Sequence, residues 1–174
     1  MISPHVEKLT THIDDRGDLT ELVHCWDLPV DIIEISPTAE EMKGGCFINP
    51  KGNKEKHTYR FGQVYVVRNE QPMIIRAFHR HKRLIDYFTV VFGKARIWLV
   101  SPEGTDAEQF ILSSESMSRL TVPEDWWHGW QSLVPNTILI STATELYNKE
   151  DPDEERTEYD RFEHLGVYWE VKPK

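Results

Sequence analysis

Between Gln63 and Thr144 the chain offers seven short runs rich in β-branched and aromatic residues: QVYVVR, MIIRAFH, DYFTVVFG, KARIWLV, EQFILS, SRLTVP and TILISTAT. Such residues suit the pleated, half-buried surface of a strand. Turn chemistry separates the runs, in RNEQP, FGKA, SPEGTD, VPED and LVPN. Closely spaced strands without long helical patterns predict an all-β fold, an antiparallel sandwich or barrel. VVFGKARIW reads as a hairpin that turns at Gly93, the residue free to take a positive φ.

The flanks are less regular. Residues 37–57 are polar and rich in Gly, Pro and Lys, and read as a loop excursion. Residues 147–160 form a charged run, read as a solvated loop or short helix. The terminal HLGVYWEVKPK reads as a last strand. With 174 residues the chain can bury a core as one domain. The expected division is an arm and strands over 1–58, a core barrel over 59–146, and a charged segment with a last strand over 147–174.

A net charge of −9 argues against nucleic acid or an anionic membrane surface as the main partner. The longest apolar runs fall far short of a membrane span. MISPHVEKLTTHIDDRG has no basic-then-apolar signal layout, so the expected location is the cytoplasm. Cys25 and Cys46 have no metal or redox spacing and read as free thiols.

The chemistry concentrates in IIRAFHRHKRLIDYF, residues 74–88. On a strand, His79 and His81 point to the same face. Four residues separate His81 from Asp86, and six more lead to Gly93; later, His128 follows Pro123 by five positions. This spacing resembles the two cupin motifs, His-x-His-x(4)-Glu-x(6)-Gly and Pro-x-Gly-x-x-His. Asp86 stands for the glutamate and Asp125 for the second glycine. The resemblance implies a cupin double-stranded β-helix, or jelly roll, with His128 arriving from the other half of the barrel. Three imidazoles and one carboxylate suit a divalent transition metal. The same side chains could instead form a hydrogen-bonded polar pocket, and spacing alone leaves the two readings open.

Four further segments, DDRGDLTEL, IIRAFH, RLTVPEDWWHGWQSL and ELYNKEDPDEER, occur in an order similar to that of the dTDP-4-dehydrorhamnose 3,5-epimerase family. That resemblance implies metal-free epimerisation next to the ketone of a 4-keto-6-deoxy nucleotide sugar, in surface polysaccharide or deoxysugar synthesis, by a homodimer. It makes His79 the base and Tyr147 the acid. Arg16, Glu21, Gln63, Arg76 and His128 become substrate-holding residues. Arg76, flanked by Ile74, Ile75 and Phe78, is expected in an otherwise buried strand, where it needs an anionic partner. Trp126, Trp127 and Trp130 read as barrel packing.

The chain departs from the family at two instructive positions. The family has lysine where this chain has Asp86, and glutamine where it has His81. The C-terminal aspartate that orients the family's base has no evident counterpart, so Asp86 or a residue of 147–160 is a candidate for that task. Either His81 and Asp86 form a charge pair orienting His79, which is the favoured expectation, or His79, His81, Asp86 and His128 hold a divalent transition metal. A metal-dependent cupin oxygenase or isomerase, and a non-catalytic sugar-binding barrel, are the alternative functions.

Overall fold

In the computed structural model the described residues are 3–14, 17–20, 22, 30–32, 57–59, 62–145 and 148–170. By internal contact the chain forms two compact units, Met1–Leu22 with Gly62–Lys174, and Val23–Phe61.

Strands are numbered in chain order. In the larger unit β1 (His5–Lys8) pairs with β11 (Ser118–Val122), and the sheet continues through β8 (Asp86–Phe92), β13 (Thr137–Ala143) and β6 (Gln63–Asn69). A second five-stranded sheet runs β10 (Ala107–Ser113), β9 (Lys94–Val100), β12 (Trp127–Ser132), β7 (Ile75–Arg80) and β14 (Glu155–Arg156). Every pairing in both sheets is antiparallel. β2 (Thr11–Asp14) and β3 (Gly17–Thr20) form a separate ladder. In the smaller unit, β4 (Val30–Ile32) pairs with β5 (His57–Tyr59). The architecture is the all-β jelly roll expected from the sequence. Among the described residues no helix is long and apolar enough to cross a membrane.

The core lies between the two large sheets. Phe88, Val90, Leu120, Val122 and Leu139 from one sheet meet Ala95, Ile97, Leu99, Leu112 and Trp130 from the other. Burial of side chains this size stabilises by roughly 1.5–3 kcal/mol each.

A second apolar layer covers the outer face of the second sheet. There Phe78, Trp98, Val100 and Trp127 pack against Phe162 and Val167 of the C-terminal segment. β9 is therefore buried on both faces, which explains why KARIWLV reads as a nearly continuous apolar run rather than an alternating one.

Three expectations are corrected. VVFGKARIW is not a hairpin, because β8 and β9 belong to different sheets. Gly93 does take a positive φ, 80°, but it turns the chain from one layer to the other. A Cβ there would lie 2.8 Å from Thr137 Oγ1.

HLGVYWEVKPK is not a strand over its described part: it opens inside a 3-10 turn, Glu163–Leu165, and runs on without regular secondary structure to Glu170. Its backbone is satisfied by side chains. Trp98 Nε1 donates to the Tyr168 carbonyl at 3.0 Å, and Glu170 N–H donates to Gln131 Oε1 at 3.0 Å. Those partners stand on the sheet beneath, so the segment lies across it instead of extending it.

The run 147–160 is not wholly loop or helix, since Glu155 and Arg156 pair with Arg80 and His79.

Candidate functional site

β7 and β12 create the site's floor. His128 lies opposite His79, but Trp130 lies opposite Arg76, so three steps on β7 match two on β12. Such a bulge resets the alternation of a strand. In a regular strand, residues three apart face opposite ways. Here Arg76 and His79 line one cavity, while Phe78 between them packs into the outer layer. Gly129 faces the bulge, and a Cβ on it would lie 2.3 Å from Ala77 Cβ. Only glycine fits that approach without displacement.

His79 is half-buried and lines two cavities. One, of about 320 Å³, also takes in Gln63, Tyr65, His81, Arg83 and Glu154. The other, of about 490 Å³, takes in Arg76, Phe88, Trp130, Leu139 and Arg156. Burial, then the neighbouring His128 and His81, hold the His79 imidazole far below its ordinary pKa. It is neutral at physiological pH, with an unprotonated ring nitrogen to offer.

Behind His79 the other donors converge. His128 is 1% exposed, and its ring centroid lies 4.1 Å from that of His79. Its Nδ1 donates to the Trp126 carbonyl at 3.1 Å, and burial pushes its pKa down to about 3. His81 Nδ1 donates to the Asp153 carbonyl. The Asp153 carboxylate accepts from the N–H groups of Lys82, at 3.1 Å, and Arg83, at 2.8 Å. Asp125, with φ of 64°, donates its N–H to the His81 carbonyl at 2.6 Å. That left-handed turn sits where the cupin motif has glycine, a conformation aspartate tolerates better than most residues.

Asp86 enters from the opposite sheet. Its Oδ1 accepts from Ser141 at 2.5 Å and from Tyr65 at 3.4 Å. Its Oδ2 has no hydrogen-bond partner and lies 3.7 Å from His81 Nε2 and 3.8 Å from His128 Nε2. Burial raises the Asp86 pKa, with the Ser141 hydrogen bond and His81 opposing that shift. The Tyr65 hydroxyl is raised as well, by burial and then by Asp86.

The structure thus brings together Gln63, Arg76, His79, His81 and Asp86, with His128 directly behind. Arg16, Glu21 and Tyr147 lie outside the described residues, as do Cys25 and Cys46. Arg76 is exposed at a cavity wall rather than enclosed, and its Nε donates to Asn69 Oδ1 at 2.9 Å. His128 comes not from the other half of the barrel but from the strand next to β7; Asp86 is the residue that crosses over. Trp127 and Trp130 are buried, as packing aromatics. No carboxylate among the described residues hydrogen-bonds His79, and the 147–160 run supports His81 instead, through Asp153.

Tyr65, Glu154 and Arg156 are further wall residues that sequence reasoning missed. Tyr65 was within reach, because it shares the inward face of β6 with Gln63 at the strand period of two. Arg156, paired to Glu154 Oε1 at 2.7 Å, was hidden in a run that reads as solvent-facing charge.

Comparison with known proteins gives a consistent picture. Residues 51–155 match the family described as polysaccharide biosynthesis C-terminal domain. Over 96 residues the chain is 33% identical to the probable low-salt glycan biosynthesis epimerase of Haloferax volcanii, covering 51% of this chain and 62% of that protein. The chain therefore spans less than two thirds of that relative. It is 26% identical over 174 residues to the spore coat polysaccharide biosynthesis protein SpsL of Bacillus subtilis, covering 96% and 95% of the two chains. Among solved structures, the dTDP-4-dehydrorhamnose 3,5-epimerase of Bacillus anthracis, with TDP and pyrophosphate bound, has a TM-score of 0.71 at 21% identity. That match covers 98% of this chain and 87% of the other, and the likeness is one of fold.

Proposed function

The chain belongs to the polysaccharide biosynthesis C-terminal domain family, and on that footing we propose that it is a nucleotide-sugar epimerase. It inverts the carbon or carbons next to the ketone of a 4-keto-6-deoxy nucleotide sugar, in surface polysaccharide or deoxysugar synthesis. The observation that carries this reading is His79, a neutral imidazole at the wall shared by two cavities. A proton on carbon next to a ketone is acidic enough for an imidazole base, provided the enolate oxygen is stabilised as it forms.

In this reading His79 removes the proton and Tyr147 returns one to the opposite face. Arg76, held by Asn69, and Arg16 grip the diphosphate, where guanidinium forks suit phosphate oxygens. Glu21 and Gln63 hold hydroxyl groups of the sugar or nucleoside. Phe88, Trp130 and Leu139 give the larger cavity an apolar wall for the deoxy carbon. Arg156 is a second cation on that wall. The chain acts as a homodimer. In support, among the described residues β6 stands at the edge of its sheet, and its outward Val64 and Val66 are exposed.

Solvent deuterium wash-in tests the reading, with dTDP-4-keto-6-deoxyglucose as the first probe and other 4-keto nucleotide sugars after it. Wild type should exchange the proton next to the ketone, and His79→Asn should lose roughly 100-fold or more of that rate. Unchanged exchange in His79→Asn removes His79 as the base. Tight binding of these sugars without any exchange makes the protein a sugar-binding barrel instead.

A further inference from the structure

We propose that Asn69 is a positioning residue for the substrate's anion: its neutral amide aims the Arg76 guanidinium into the larger cavity without cancelling its charge.

Among the described residues three arginines line the two cavities, and they are held in two different ways. Arg83 lies 3.2 Å from Asp151, and Arg156 lies 2.7 Å from Glu154. A carboxylate at that range cancels most of the field a guanidinium could offer a ligand. Arg76 pairs with no carboxylate among the described residues; its Nε donates to Asn69 Oδ1 at 2.9 Å. An amide oxygen accepts that hydrogen bond and carries no charge. The positive charge of Arg76 therefore stays available at the cavity wall.

The two cavities differ in the same sense. Glu145, Asp151, Asp153 and Glu154 line the smaller one, against Arg83 and Arg156. The larger has Arg76 and Arg156 against Glu154 alone, and its wall is partly apolar. An anion is attracted to the larger cavity, and water-poor walls strengthen that attraction.

Asn69 is itself fixed. It ends β6 at 2% exposure, and its Nδ2 donates to the Ile74 carbonyl and to Ser132 Oγ, each at 3.3 Å. A carbonyl can only accept, so that contact orients the amide and turns Oδ1 toward Arg76. Ser132, fully buried at the end of β12, donates in turn to the Gln71 carbonyl at 2.9 Å. These contacts tie the ends of β6 and β12 to the start of β7. With Nε engaged from behind, the terminal nitrogens of Arg76 present the planar fork that takes two phosphate oxygens together. A fork already held loses less side-chain freedom on binding than a loose one.

The anion subsite stands on this geometry alone, whereas its ligand being the diphosphate of a nucleotide sugar rests on the epimerase reading.

Inorganic pyrophosphate is the probe, with calorimetric titration as a readout that needs no sugar. Arg76→Ala should weaken wild-type binding roughly 10–100-fold, the effect of losing hydrogen bonds to a charged group. Asn69→Ala should weaken it roughly 10-fold, but only where Arg76 is present. The Asn69→Ala/Arg76→Ala double variant should therefore bind no worse than Arg76→Ala. Asn69→Asp keeps the acceptor but adds a charge that neutralises the guanidinium, so it should bind worse than Asn69→Ala. A purely structural Asn69 predicts the reverse order and additive losses. Arg76→Lys keeps a charge at an exposed position, loses the Nε contact, and should recover little binding. It carries the comparison if the Asn69 variants fail to fold. No pyrophosphate binding in wild type, additive losses, wild-type binding by Asn69→Asp, or full binding by Arg76→Lys each overturns the assignment. Deuterium exchange without Asn69-dependent pyrophosphate binding removes the assignment and spares the epimerase reading; Asn69-dependent binding without exchange does the reverse.

Discussion

Gly129 of β12 lies against Ala77 of β7 so closely that a single methyl group on it would come within 2.3 Å of the Ala77 side chain. The contact holds the bulge that turns Arg76 and His79 into the same cleft. Gly129→Ala must push β7 away. Overpacking of this kind costs about 1–3 kcal/mol. Urea unfolding should show that loss, and exchange activity in the folded fraction should fall further, since the base moves with the strand.

Asp153 joins the C-terminal segment to the loop after His79. Its carboxylate binds two backbone N–H groups. Asp153→Ala should destabilise by about 0.5–1.5 kcal/mol, the usual net worth of a hydrogen bond whose donor water can reach. Asp153→Asn keeps an acceptor and should recover part of that loss.

Arg76 reaches the larger cavity with Asn69 at its back. Arg76→Ala should raise KM roughly 10-fold or more, with a smaller change in kcat, as for a group that binds substrate and transition state alike. A fall confined to kcat would place Arg76 in the chemical step.

Acid should destabilise the protein. The His128 pKa falls from 6.5 to about 3 on folding, so between those values the unfolded chain binds a proton that the folded chain refuses. Stability is then lost as pH falls from about 6.5 toward 3, and His79 acts in the same direction. Asp86 opposes them: its raised pKa lets the folded chain take up a proton first, so its contribution is lost as pH rises through the folded-state value. Urea midpoints measured across that range should show His128→Gln less acid-sensitive than wild type, and Asp86→Asn more so.

Phe162 anchors the C-terminal segment. It is buried, with its ring edge-on to Phe78 at 5.0 Å and tilted against Trp127 at 5.9 Å. Phe162→Ala should cost about 3–5 kcal/mol. Tyr159→Ser, at an exposed side chain, should stay within about 0.5 kcal/mol.

The strands were legible because their periods and turn residues agree locally. Gly93 was readable as a positive-φ turn, but not as a change of sheet, since both uses ask the same of the residue. β12 escaped notice because WHGWQS has no β-branched residue to mark it. The tail read as a strand because its apolar residues pack like one, while its polar backbone partners are side chains far away in sequence. Within the site, His79, His81, Asp86 and His128 announce themselves by spacing. The support from Asp153 was not readable, because one of its contacts is a backbone carbonyl and the others cap a loop whose shape the sequence does not state.

Asp86 stands on β8 in one layer, and His128 stands on β12 in the other. The gap between their facing atoms is thus a gauge of how thick the sandwich is. Core residues such as Ile97 and Leu120, which line neither cavity, set that thickness by their volume. Sandwich layers move as units, so a methyl group trimmed from the core would shift the donors by fractions of an ångström. Evolution could adjust the reactivity of this site from its filling, without replacing any residue that does chemistry.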